Sequence, residues 1–130
     1  MLKLDTRDFS KSAFCGLQEV LKKVGSNSDD RKKAASTAVQ GLPAYISAWG
    51  LHRLAGDGMK YKDEPRGKAY QQFLLTLKEL SGIDKDLTNP NTLFSQLEFR
   101  EYTGLNRLAI QLAREWAFWA VPVLGQGEES

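Results

Sequence analysis

Apolar residues recur at intervals of three and four along most of this chain, most clearly in the closing segment GLNRLAIQLAREWAFWA. With about 100° between successive residues of a helix, one sector of this segment collects the side chains of Leu105, Leu108, Ala109, Leu112, Trp116 and Trp119. The alternation of apolar and polar residues that marks a strand is not sustained anywhere. The pattern therefore predicts an all-α protein, a compact bundle of about five or six helices.

Helix boundaries follow from the glycines, prolines and capping residues. The spacing predicts helices over 6–24 and 30–49, the second interrupted by a kink or a new start near Leu42 because Pro43 follows. LHRLAGDGMKY is expected to be a short helix at best, with GDG as a turn. Further helices are predicted from Pro65 to Leu80, after NPNT with Asn89 as cap, and from about Arg100 to Val121. We expect one domain over 1–130, with a mobile tail from about 122 to 130.

Composition is that of an ordinary globular chain, with 42% hydrophobic and 26% charged residues. A net charge of +2 is too small to mark a nucleic-acid binder, so any basic surface must come from segregated charge. The single cysteine, Cys15, excludes an internal disulfide and is expected to be a small buried side chain. With no signal peptide and no apolar run long enough to span a bilayer, the chain is expected to be cytoplasmic.

The residues of catalytic chemistry are sparse. One histidine, His52, and one cysteine cannot make the usual zinc sites, and the chain has neither a phosphate-binding glycine loop nor a nucleophile elbow. We expect no enzyme activity, no metal and no cofactor, and we interpret His52 as a surface or capping histidine.

Arginines recur every seven residues on the last helix, opposite its apolar sector: Arg100, Arg107 and Arg114. Their spacing of about 10.5 Å suits contacts with successive stretches of a nucleic-acid backbone. A solvated helix face would show the same row, and Glu101 and Glu115 lie close enough to offset it.

Two other features bear on binding. Phe118 projects near Arg114 on the polar side of the helix, which suits a protein partner or a stacked base, and a protein contact is narrowly favoured. The loop between the fourth and fifth predicted helices carries four cations, together with Asp63 and Glu64: Lys60, Lys62, Arg66 and Lys68.

The order of three segments resembles a known family. This family is the small helical subunit of type III CRISPR effector complexes, in the Cmr branch (type III-B). Its central signature resembles GLPAYISAWGL, its middle helix resembles KAYQQFLLTLKELSGI, and its closing element resembles YTGLNRLAIQLAREWAFWA. The resemblance spans about Phe9 to Ala120. It implies a non-catalytic α-helical subunit of antiviral defence, present in several copies. Such a subunit contacts the backbone and large subunits, its own copies, and the duplex of guide RNA with target RNA.

Carried over by position, Arg107 matches the arginine of the closing element and Trp116 its tryptophan, which we interpret as core. The central signature matches positions that should be structural: Leu42, Pro43, Gly50 and Leu51. Ala117, Phe118 and Trp119 stand where the family often has basic residues, and HRLAGDGMKY replaces its usual apolar run.

The resemblance and the charge pattern together predict sequence-independent contacts to the duplex backbone. The residues expected to make them are, in order, Arg107 and Arg114, then Arg100, Lys60, Lys62, Arg66 and Lys68. The alternatives are a helical adaptor without a nucleic-acid role, docking a protein through Phe118 and Trp119, or the equivalent small subunit of another CRISPR effector type.

Overall fold

A computed structural model describes residues 5–25 and 27–127, and in these ranges the chain is helical without strands. The α-helices are α1 (Thr6–Val24), α2 (Asp29–Gln40), α3 (Leu42–Trp49), α4 (Leu51–Lys60), α5 (Pro65–Ser81) and α6 (Phe99–Leu124), and a π-helical turn spans Thr92–Gln96. The predicted compact all-α fold is confirmed.

Helix α1 begins at a capping box. The Asp5 carboxylate accepts the backbone N–H groups of Arg7 (2.7 Å) and Asp8 (3.3 Å), and the Asp8 carboxylate accepts the N–H of Asp5 at 2.9 Å. These bonds satisfy amides that have no partner within the helix. Gly25, with φ at 93°, ends the helix, and the Arg31 side chain donates to the Val24 carbonyl at 2.8 Å. Arg31, at the basic start of α2, thus caps the end of α1.

Helices α2 and α3 are separate, as the proline predicted. The break lies at Gly41, and Pro43 occupies the second position of α3, where its missing N–H costs nothing. After NPNT the predicted short helix is a π-helical turn, and the Asn89 side chain accepts the N–H of Asn91 at 3.0 Å.

The turn predicted at GDG is wrong. Helix α4 runs through Gly56 and Gly58 without interruption. Leu51, Leu54 and Ala55 are buried beside Gly58, so core packing outweighs the low helix propensity of glycine. Gly58 also lets α5 approach closely, because a Cβ there would lie 3.1 Å from Cγ of Gln71.

The core lies between α5 and α6. Helices α1 and α2 each pack against both of them, while α3 packs on α6 and α4 on α5. Trp116 is fully buried, as predicted, and meets Phe73 edge to face with ring centroids 5.1 Å apart. Gly16 permits this packing, since a Cβ at that position would lie 2.5 Å from the Trp116 ring.

The predicted end of the last helix near Val121 must be corrected, and part of the predicted tail is helical. Helix α6 continues through Pro122 to Leu124, whose side chain is buried. Ser36 on α2 donates a hydrogen bond of 2.7 Å to the Gly125 carbonyl. Burial of Leu124 and this bond hold the segment against α2 although Pro122 lacks a helical donor. The predicted tail residues 128–130 lie outside the described ranges.

The prediction for Cys15 is also wrong, because the residue is exposed. The buried stripe of α1 consists of Phe9, Ala13, Gly16, Leu17, Val20 and Val24. Cys15 lies about 100° from Gly16 around the helix, which turns it out of that stripe.

Candidate nucleic-acid interface

The arginine row is an exposed surface of α6. Arg100, Arg107 and Arg114 are all exposed, and the opposite side of the helix carries its buried residues. Within residues 5–25 and 27–127 the ion pairs are Arg7–Asp5, Lys22–Glu19 and Lys32–Asp29. None of these pairs involves the row, so its guanidinium groups face solvent without a carboxylate partner in the described structure.

The two glutamates expected to offset the row are engaged elsewhere. The Glu101 carboxylate accepts the backbone N–H of Glu98 at 3.1 Å and so completes a capping box at the start of α6. The Glu115 carboxylate accepts the Ser10 hydroxyl on α1 at 2.5 Å. In the described residues neither carboxylate forms an ion pair with the row, although a hydrogen bond does not cancel the charge of a carboxylate.

The basic loop is organised around the ring of Tyr61. The Arg66 guanidinium carbon lies 3.6 Å from the ring centroid, and the Lys60 ammonium nitrogen lies 5.2 Å from it. Both distances fall within the range of cation–π attraction. Lys62 is exposed and Lys68 half-buried. The tyrosine was not singled out from the sequence, although its place between Lys60 and Lys62 was a visible signal.

Gly67 holds this loop close to the start of α5. A Cβ on Gly67 would lie 1.9 Å from the carbonyl oxygen of Tyr61, which itself accepts the N–H of Glu64 at 2.9 Å. Asp63 and Glu64 form none of the ion pairs found in the described residues. The loop therefore presents its cations without internal neutralisation by salt bridges.

The structure forms two basic groups rather than one. The row lies on α6 and the loop lies at the start of α5, and these two helices contact each other little because α1 and α2 pack against both. Among the described residues, no hydrogen bond, ion pair or ring contact joins Arg66 or Lys60 to the row. Each group is therefore considered as a separate contact surface.

Phe118 and Trp119, predicted together as a protein interface, differ in exposure. The Phe118 side chain is 66% exposed, whereas Trp119 is partly buried. The Trp119 ring packs edge to face against Phe14 of α1, with centroids 5.9 Å apart, and against Phe118 at 5.1 Å. Trp119 thus supports Phe118 more than it offers a surface of its own, because it lies at the edge of the apolar sector.

A junction between α4 and α6 was missed by sequence reasoning. The Asn106 side-chain oxygen accepts the N–H of Leu51 at 3.2 Å, where α4 has no cap of its own. His52 Nδ1 lies 2.8 Å from the Tyr102 hydroxyl. Gly50 has φ at 82°, and a Cβ there would lie 2.6 Å from that hydroxyl. His52 is therefore held in an interhelical contact instead of being a free surface histidine.

Two tyrosine hydroxyls have a pKa that packing perturbs. Burial and a hydrogen bond of 2.5 Å to the Asp57 carboxylate raise the pKa of the Tyr45 hydroxyl. Burial likewise raises the pKa of Tyr70, whose ring packs against that of Tyr45. Neutral hydroxyls are favoured at both positions.

No group of metal-ligating side chains occurs in the described part of the chain. None of the described helices has the length and apolar character needed to cross a membrane. Comparisons with protein-family models, with characterised proteins and with solved structures give no match. The function must therefore be argued from the residues themselves.

Proposed function

We propose that this chain is a non-catalytic small subunit of a type III CRISPR RNA-guided effector complex in antiviral defence. It stacks with other copies along the filament and binds the backbone of the guide–target duplex without sequence preference. The observation that carries the proposal is the row of three exposed arginines on α6, beside carboxylates that are engaged elsewhere. The order of the three sequence segments described above supports the same assignment.

The row suits phosphates for a chemical reason. A guanidinium group presents several N–H donors in one plane and can bind a phosphate through two hydrogen bonds. Successive arginines about 10.5 Å apart along a helix can reach different phosphates of one duplex. Contacts of this kind carry no base information, so base pairing between guide and target reads the sequence.

The loop around Tyr61 supplies a second contact. A guanidinium group stacked on an aromatic ring uses its flat face, and its N–H donors stay in the plane of the group. Arg66 is therefore oriented by Tyr61 while its donors remain able to meet a phosphate. Lys60, Lys62 and Lys68 add charge around the same turn.

Binding by a single copy is expected to be weak because the net charge is only +2. Several copies on one filament bind the same duplex at high effective concentration, and their contacts reinforce one another. Backbone and large subunits of the complex hold the copies in register under this proposal.

The test is the salt dependence of RNA binding by the full chain. Affinity for a fluorescein-labelled RNA duplex is measured by anisotropy at several salt concentrations, for the wild type and for Arg107→Gln/Arg114→Gln. Each phosphate contact contributes roughly 0.9 to the slope of log affinity against log salt. The double variant should therefore lose about 1.8 units of slope, equally for unrelated duplex sequences.

A matched control removes the same charge elsewhere. Lys11 and Lys33 are exposed and lie on α1 and α2, so Lys11→Gln/Lys33→Gln should keep the wild-type slope. Equal slopes for the wild type and the arginine variant would contradict the role of the row.

The second candidate is a helical adaptor without a nucleic-acid role, and the exposure of Phe118 beside Trp119 and Val121 favours it. An aromatic protein contact responds little to salt, whereas phosphate binding weakens steeply. Protein binding that is abolished by Phe118→Ala, in a chain without measurable RNA affinity, would establish the adaptor. The equivalent small subunit of another CRISPR effector type would share the RNA result and differ in its partner proteins.

A further inference from the structure

Three exposed aromatic side chains lie at the end of α3, on the π-helical turn and at the start of α6. Phe94 is 66% exposed, Phe99 83% and Trp49 53%. The His52 ring of α4 links the π-helical turn to α6, with its centroid 5.8 Å from the Phe94 ring and 6.1 Å from the Tyr102 ring. Phe99 lies three residues before Tyr102 on α6, which is about one helical turn. Rings that are this exposed gain little from folding, so folding alone does not account for them.

Cations accompany these rings. The Arg53 guanidinium lies 4.6 Å from the ring centroid of Trp49. Arg100, the first member of the arginine row, follows Phe99 directly and is exposed. Lys85 donates a hydrogen bond of 2.6 Å to the Gln96 carbonyl and so holds the end of the π-helical turn in place.

Two acidic residues, Glu98 and Glu101, cap the start of α6. The Glu98 side chain accepts the backbone N–H of Glu101, and the Glu101 side chain accepts that of Glu98. Both carboxylates are therefore held against the positive end of the helix dipole. Phe99 and Arg100 are exposed at the same end of the helix, next to these two carboxylates.

We propose that Phe94 and Phe99, together with the Trp49–Arg53 pair at the junction of α3 and α4, form a platform on which unpaired bases of single-stranded RNA stack. Aromatic faces interleaved with cations are the arrangement that proteins use for single strands, since every base has a face to stack and every nucleotide a phosphate. The platform borders Arg100, so a strand leaving a duplex bound along the row would meet it. The proposal rests on the proposed function for its ligand, and it adds a site for bases to a site for phosphates.

The experiment separates stacking from mere apolar contact. Full chain is titrated into a fluorescein-labelled single-stranded RNA 15-mer of mixed sequence and, separately, into the labelled duplex. Phe94→Leu/Phe99→Leu keeps apolar bulk but removes the aromatic faces, whereas Phe94→Tyr/Phe99→Tyr keeps them. Thermal unfolding by circular dichroism checks that each variant is folded, which the exposure of both positions favours.

The leucine variant should bind the single strand about 10-fold or more weakly than the wild type, because alanine substitutions at stacking positions cost on the order of 5- to 100-fold per base. The tyrosine variant should bind as the wild type does, and duplex affinity should be unchanged in both. The control Met59→Ala/Leu75→Ala removes two exposed apolar side chains without rings and should leave single-strand affinity unchanged.

Wild-type single-strand affinity in the leucine variant would overturn the platform, as would a wild type that binds no single strand. The platform would also be overturned if the chain bound a protein partner through these rings, with the tyrosine variant still binding it, while neither variant changed the affinity for RNA. Failure of the proposed function gives a different result. The salt dependence of duplex affinity would then be the same for the wild type and for Arg107→Gln/Arg114→Gln, independently of the single-strand affinities.

Discussion

Replacing Gly67 by alanine is the most demanding test of the basic loop. The new Cβ would lie 1.9 Å from the Tyr61 carbonyl oxygen and 2.2 Å from its carbonyl carbon. An ordinary contact between carbon and oxygen is about 3.3 Å, so the Tyr61 peptide must retreat by about 1.4 Å. The obstacle is backbone, and the displaced oxygen also accepts the N–H of Glu64. The loop cannot yield as a flexible side chain would.

The magnitude follows from two opposing effects. Overpacking of this kind typically costs about 1–3 kcal/mol, and alanine regains about 1 kcal/mol of helix propensity over glycine. Because the obstacle is backbone, the cost is taken from the upper part of that range, about 2–3 kcal/mol, and the net loss expected is about 1–2 kcal/mol. With an unfolding entropy of roughly 2.1 cal/mol/K per residue over 130 residues, this lowers Tm by about 4–7 °C.

The assay is thermal unfolding followed by circular dichroism, with two glycine controls. A Cβ at Gly56 or Gly104 would meet nothing within 4 Å, so Gly56→Ala and Gly104→Ala should each raise Tm by about 2–4 °C through the same gain in propensity. A Gly67→Ala variant as stable as these controls would refute the close approach of Gly67 to Tyr61.

Two further predictions concern packing and pH. Gly16→Ala places a Cβ 2.5 Å from the buried Trp116 ring and 2.8 Å from the Thr76 hydroxyl oxygen. Urea unfolding should therefore show that the free energy of unfolding falls by about 1–3 kcal/mol. A variant with the stability of the wild type would contradict this packing. Tyr45 has a raised pKa in the folded state, so its stabilisation is complete below the ordinary pKa of about 10 and falls as pH rises beyond it. The denaturant midpoint of the wild type should therefore decline as pH is raised from neutral to above about 10, and that of Tyr45→Phe should decline less. Equal declines in the two proteins would rule out this role for Tyr45.

The helices were largely predictable because their signals are local. The bounds Thr6–Val24 and the break before Pro43 depend on apolar spacing, a capping aspartate and a proline. GDG was misassigned because glycine propensity is a weak local signal, and burial of the α4 stripe overrides it. Cys15 was misassigned because free cysteines are often buried, although it lies about 160° around α1 from Ala13 and Leu17 of the buried stripe.

The site was predictable only in part. Seven-residue spacing placed three arginines on one face, but the hydrogen bond that Glu115 accepts comes from Ser10, a residue 105 positions away along the chain. The contacts of Asn106 with Leu51 and of Tyr102 with His52 likewise need the start of α4 to be brought beside α6 by the folded chain. Interactions between distant segments leave no periodic pattern in a single sequence, so the junction and the aromatic cluster could be found only in three dimensions.

The most direct test of the proposed function is to isolate the tagged full chain from its native cells and to sequence the RNA that copurifies. We predict short RNAs that share a constant repeat-derived end, together with partner proteins of the size expected for effector subunits. The Arg107→Gln/Arg114→Gln variant should recover less of this RNA than the Lys11→Gln/Lys33→Gln control does. Recovery of partner proteins without such RNA would contradict the proposal and leave the arginine row as a solvated helix face.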